Sequence, residues 1–112
     1  MMEPWLSIVG LGEDGIDGLS AAAREAIEQA DLLAGGARHL KLAAGFGKPV
    51  LPWEVPFEAS IPKLLAARGR RVTVLASGDP FWFGVGSTLA ARLPLREMIV
   101  WPAPSTFGWA AA

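Results

Sequence analysis

RVTVLASGDPFWFGVGSTL, residues 71–89, is the stretch on which the reading of this chain turns. Val72, Thr73, Val74 and Leu75 form a β-branched, apolar run that reads as a buried strand. It breaks at Ala76-Ser77-Gly78-Asp79-Pro80, where small residues let a backbone approach a ligand and one carboxylate stands at the strand's carboxyl end. Residues 84–92 resume with helical spacing at Val85, Leu89 and Leu93. The unit is strand, loop, helix, and in open α/β sheets that edge is where ligands bind.

Working outward, the same alternation recurs. Residues 5–10 (WLSIVG) read as a first strand, closed by the glycine-rich turn Gly10-Leu11-Gly12-Glu13-Asp14-Gly15. Residues 19–30 place Leu19, Ala23, Ala26, Ile27 and Ala30 on one helical face, with Ser20 as N-cap and Arg24 and Glu28 at i,i+4 spacing. Residues 31–34 form a brief central strand ended by Gly35-Gly36. Residues 37–44 form a short helix with Gly45 beyond it, and residues 48–52 a weak, proline-bracketed strand. Ser60 is placed to cap a helix with Pro62 in its first turn, ending before Gly69. A fifth strand at 97–101 is closed by Pro102-Ala103-Pro104-Ser105-Thr106, and residues 107–112 read as a helix beginning. The expectation is one α/β domain of about five mostly parallel strands joined by crossover helices, with the loops GLGEDG, AGG, PWE, SGDP and PAPST along one edge.

Composition narrows the function classes. The 112 residues carry ten Lys or Arg against eleven Asp or Glu, a balance that argues against a nucleic-acid or acidic-membrane partner. There is no cysteine, hence no disulfide, thiolate metal site or Cys nucleophile, and a reducing compartment suits such a chain. Glu3 and Pro4 stand where a signal peptide needs basic and then apolar residues, so the protein reads as cytoplasmic. With 52% hydrophobic residues, 19% charged and a mean hydropathy of +0.35, some surface is expected to meet a partner.

Gly10, Gly12 and Gly15 match G-x-G-x-x-G, which invites a dinucleotide-binding reading and an oxidoreductase as one alternative. Against it, Ile16-Asp17-Gly18 delays the helix that should receive the pyrophosphate. Asp31 also begins the second strand instead of ending it. A ligand-free glycine turn, and a non-enzymatic interaction module with an apolar face, are the blander readings. Asp79 is either a turn residue before Pro80 or a carboxylate that accepts from ribose hydroxyls or an ammonium. Ser105 and Thr106 are caps by spacing. His39, between Arg38 and Lys41, reads as a surface or supporting residue, and no His or carboxylate set has metal-ligand spacing.

The ordered set VGLGEDG (9–15), GGARHL (35–40), ASGDPFWFGVG (76–86) and PAPST (102–106) resembles the tetrapyrrole (corrin/porphyrin) methylases, and within them the C5-methylating precorrin branch of cobalamin biosynthesis. It departs at Ala103, where the family usually has glycine. The resemblance implies the amino-terminal half of a two-lobed fold with S-adenosylmethionine between the lobes, a second half missing from these residues, and a precorrin as substrate, with a tetrapyrrole methylase of the same fold acting on another substrate as the alternative. A homodimer is among the expected states. By the same resemblance Gly12, Glu13, Ser77, Gly78, Asp79, Trp82, Ser105 and Thr106 correspond to cofactor contacts. Gly10, Arg38 and Lys41 are candidates for the carboxylate-rich substrate, and no catalytic residue or metal ligand is assigned.

Overall fold

The computed structural model describes residues 5–12, 15–54, 57–77 and 97–101. Among them run β1 (Leu6–Leu11), α1 (Ala21–Glu28), β2 (Leu32–Gly35), α2 (Ala37–Leu42), β3 (Val50–Pro52), α3 (Ile61–Ala66), β4 (Val72–Ser77) and β5 (Met98–Trp101). The five strands form one sheet in the order β3-β2-β4-β1-β5, and every pairing is parallel. The helix expected over 84–92 lies outside the described residues.

The placement of the helices follows from the strand order and crossover handedness. The chain steps one way from β1 past β4 to β2 and β3, then returns through α3 to β4. Right-handed crossovers therefore put α1 and α2 on one face and α3 on the other. The two cores agree. Ile61, Leu64 and Ala67 pack with Leu6, Ile8, Ala34, Val72, Val74 and Met98. Ala23, Ile27 and Leu40 pack with Val9, Leu11, Leu33 and Leu75 on the opposite face. Burial on both faces explains why the strands read as continuous apolar runs instead of alternating ones.

Local chemistry sets the element ends. The Ser20 hydroxyl accepts from the Ala23 amide at 3.1 Å and caps α1 as expected. The helix is shorter than residues 19–30, because Gly15–Gly18 form a 3-10 turn ahead of it. Arg24 does not pair with Glu28: its guanidinium donates to the Ile16 carbonyl at 3.2 Å and ties that turn to the helix. Ser60 is another departure. Its hydroxyl makes no cap bond into α3 and instead accepts from the Glu54 amide at 2.7 Å while fully buried, pinning the loop after β3. After α2 the chain makes a second 3-10 turn, Ala44–Phe46, and the left-handed residue that ends it is Gly47 (φ 65°), not Gly45.

At the amino end of the sheet the Trp5 indole donates to Glu97 Oε1 at 2.7 Å, and Arg68 closes a two-pronged pair on the same carboxylate. Glu97 is 2% exposed, so three donors keep a buried charge satisfied. No described helix is long and apolar enough to cross a membrane.

Candidate functional site

Register brings the strand carboxyl ends to one edge: Leu11 pairs with Ser77, Gly35 with Leu75 and with Pro52, and Val9 with Trp101. β1 and β4 lie side by side at the point where the order of connection reverses. The crevice outside their carboxyl ends is therefore the topological switch point, the place where parallel sheets open to ligands. Gly12 sits there, exposed, its carbonyl accepting from the Gly15 amide at 3.0 Å, and Gly15 turns with φ of 57°. Ser77 ends the neighbouring strand. Of the expected cofactor contacts these two are brought together. Glu13, Gly78, Asp79, Trp82, Ser105 and Thr106 lie outside the described residues.

The substrate candidates divide. Gly10 is buried inside β1 opposite Ala76, behind the rim of the edge. Arg38 and Lys41 are exposed on α2, and neither makes an ion pair among the described residues. His39, half-buried between them, has its pKa lowered, first by desolvation and then by the Arg38 charge, so its neutral form is favoured.

Gly35 is needed for a different reason than ligand approach. A Cβ there would lie 2.9 Å from the Leu75 carbonyl oxygen of β4, so the first glycine of the pair permits close strand packing. At Gly36 the nearest atom would be His39 Nδ1 at 3.8 Å, which leaves room. The loop after β3 is also fastened at this edge: the Trp53 amide donates to the Gly35 carbonyl at 2.9 Å, and Lys63 pairs with Glu54 at 3.2 Å. Sequence reading flagged the loop but missed the buried Ser60 hydroxyl that holds it, since a serine ahead of a helix looks like a cap.

The described part of the glycine turn departs from a dinucleotide-binding turn in two ways. Five residues separate Gly15 from Ala21, the first residue of α1, and the α1 amide at Ala23 is already bonded to Ser20. Asp31, moreover, lies at the opposite end of the sheet, where its carboxylate accepts from the Arg71 amide at 3.0 Å. Among the described residues no group of three or more His, Asp or Glu is placed to hold a metal ion.

The family model for tetrapyrrole (corrin/porphyrin) methylases matches residues 6–112. A precorrin-6Y C(5,15)-methyltransferase [decarboxylating] from Sinorhizobium sp is 46% identical over 113 residues, covering 100% of this chain and 27% of that protein. A cobalt-precorrin-7 C(5)-methyltransferase from Salmonella typhimurium is 36% identical, covering 96% of this chain and 53% of the relative. A crystal structure of a cobalamin biosynthesis precorrin-6Y methylase from Archaeoglobus fulgidus superposes with a TM-score of 0.66 at 26% identity, over 96% of this chain and 56% of that one. The chain thus spans from about a quarter to just over half the length of these relatives.

Proposed function

Because this chain belongs to the tetrapyrrole (corrin/porphyrin) methylases, we propose that it is the amino-terminal lobe of an S-adenosylmethionine-dependent C-methyltransferase that acts on a precorrin in cobalamin biosynthesis. The observation that carries this reading is the switch-point crevice, with Gly12 and Ser77 at the ends of adjacent parallel strands. Small residues there leave the backbone open to a ligand, and the sequence continues from Ser77 with Gly78-Asp79-Pro80. A glycine turn offering amides and carbonyls, next to a lone carboxylate, is a donor set suited to a nucleoside that carries an ammonium.

When bound, S-adenosylmethionine would supply an electrophilic sulfonium methyl for attack by an electron-rich ring carbon, the methyl–sulfur bond breaking in line and S-adenosylhomocysteine leaving. Such a transfer asks the protein for orientation and exclusion of water more than for a nucleophile. In this reading Gly12, Glu13, Ser77, Gly78, Asp79, Trp82, Ser105 and Thr106 form the cofactor wall. Arg38 and Lys41 meet substrate carboxylates, which a planar guanidinium holds well. The remainder of the cleft comes from the residues by which the relatives exceed this chain. One relative is named for positions 5 and 15 of precorrin-6Y and the other for position 5 of cobalt-precorrin-7, and C5, common to both names, is the proposed acceptor.

The test is calorimetric titration of the complete protein with S-adenosylhomocysteine, with NADH as control. Heat with the first and none with the second is expected. Heat with NADH alone would replace this reading with the dinucleotide one. Incubation with precorrin-6Y and labelled S-adenosylmethionine, followed by mass spectrometry of the corrin product, then separates this substrate from other tetrapyrroles.

A further inference from the structure

Among the described residues the large apolar side chains of Leu42, Val50, Leu65 and Ile99 are exposed. Val50 and Ile99 lie toward the amino ends of β3 and β5, and Leu65 is on α3, across the sheet. Leu42 is the one at the candidate site. α2 leaves β2 at the carboxyl edge with Gly36 as its N-cap, and its last residue, Leu42, comes to rest against the glycine turn that follows β1. A Cβ built on Gly15 would lie 3.8 Å from Leu42 Cδ1 and 4.0 Å from Cδ2. Gly15 is buried there while Leu42 is 49% exposed, so the leucine lines the turn on one side and meets solvent on the other. A single exposed leucine is ordinary on a protein surface. Its neighbours on the helix set this one apart. Arg38 and Lys41 are spaced i,i+3, and Arg38 and Leu42 i,i+4, which puts the three on one helical face, while Leu40 turns into the core with Val9, Leu11 and Leu75. Both cations are exposed and neither makes an ion pair among the described residues.

We propose that Leu42 is a specificity-determining contact for the substrate: its exposed methyl groups seat the apolar ring of the precorrin beside the glycine turn, while Arg38 and Lys41 take carboxylates on the rim of that ring. The inference rests on the methyltransferase reading above and adds to it an apolar contact. From Arg38 to Leu42 the helix rises only about 6 Å, so one edge of a broad ligand can meet all three residues. Two cations alone would suit any polyanion. A leucine on the same face selects a ligand that joins apolar area to carboxylates, because a ring laid over it removes apolar surface from water on both partners, whereas a free phosphate or citrate-like anion gains nothing there. The two cations then fix the orientation of the ring, and the guanidinium of Arg38 can hold a carboxylate with two hydrogen bonds. Since Leu42 abuts the turn that opens the switch-point crevice, the ring it seats lies next to the place which that reading gives to the methyl donor.

The test uses the complete protein carrying Leu42→Glu or Leu42→Gln, with Leu65→Glu on α3 as the control at another exposed leucine. Methyl transfer from labelled S-adenosylmethionine gives kcat and the KM for precorrin-6Y, and calorimetry gives the affinity for S-adenosylhomocysteine. Leu42→Glu sets a carboxylate against those of the substrate and is expected to raise KM at least roughly tenfold, whereas Leu42→Gln removes only apolar contact and should raise it roughly threefold. In both variants kcat and the affinity for S-adenosylhomocysteine should stay within about twofold of wild type, the mark of a contact made to substrate in ground and transition state alike. Leu65→Glu should leave KM as it is. An unchanged KM in Leu42→Glu overturns the proposal. So does a loss of S-adenosylhomocysteine affinity as large as the rise in KM, which would assign Leu42 to packing against the rest of the protein. Wild-type protein that binds no S-adenosylhomocysteine overturns the methyltransferase reading, and this inference with it, so the wild-type titration tells the two failures apart.

Discussion

The Trp5 indole N–H and the Glu97 carboxylate meet at 2.7 Å across 92 residues of sequence, joining the entry of β1 to the entry of β5. The bond is buried, and backbone pairing flanks it, with the Trp5 amide donating to the Glu97 carbonyl at 3.1 Å. It holds β5 in register on the strand that ends at the candidate site. Glu97→Ala leaves the indole donor unpaired in the interior and is expected to lower stability by about 1 to 3 kcal/mol. A fall in the urea midpoint at unchanged slope checks it.

Gly35→Ala drives a Cβ against the Leu75 carbonyl, a backbone atom that yields only if β2 and β4 separate. A loss of about 1 to 3 kcal/mol is expected, the usual range for overpacking. Gly36→Ala, with open space around it, is the control and should fold with near-normal stability.

His39 is the one histidine in the chain, and burial holds its folded pKa below the usual histidine value of about 6.5. Above that value it is neutral in both states and contributes no pH dependence. As the pH falls through 6.5 the unfolded chain takes up the proton first, so stability declines until the folded pKa is passed. Stability should therefore drop from neutral pH toward the carboxylate range, and His39→Gln should flatten that decline. Chemical denaturation at a series of pH values measures both.

Asp79→Ala in the complete protein is expected to weaken S-adenosylhomocysteine binding by about 1 to 3 kcal/mol, the magnitude of a lost charge-assisted hydrogen bond. Unchanged affinity by calorimetry would return Asp79 to the role of a turn residue before Pro80.

The 112 residues alone are expected to show no methyl transfer, since the proposed cleft needs a second wall. Incubation of this chain with labelled S-adenosylmethionine and a precorrin checks the point. Turnover would mean that the site is complete within these residues.

The alternation of apolar runs with helical spacing determined, from the sequence alone, the five strands, the helices between the first four and the α/β class, with strand limits shifted by one or two residues. The pattern is local, set by a side-chain period of two or 3.6 and by Gly and Pro as breaks, so it is legible without the fold. That the carboxyl ends of the strands share one edge was legible too, because the strands are parallel. Tertiary structure alone decided the order β3-β2-β4-β1-β5, which makes β1 and β4 neighbours and so brings Gly12 to Ser77. It also decided what Ser60, Arg24 and Glu97 do. Each has a plausible local role, as cap, as helix-face ion pair or as strand residue, yet each binds a partner chosen by packing: the Glu54 amide, the Ile16 carbonyl, and Trp5 with Arg68. The reason is physical: a polar group in the interior takes the partner that burial leaves within reach, and that partner lies as far away as 92 residues along the chain, where no sequence period points to it.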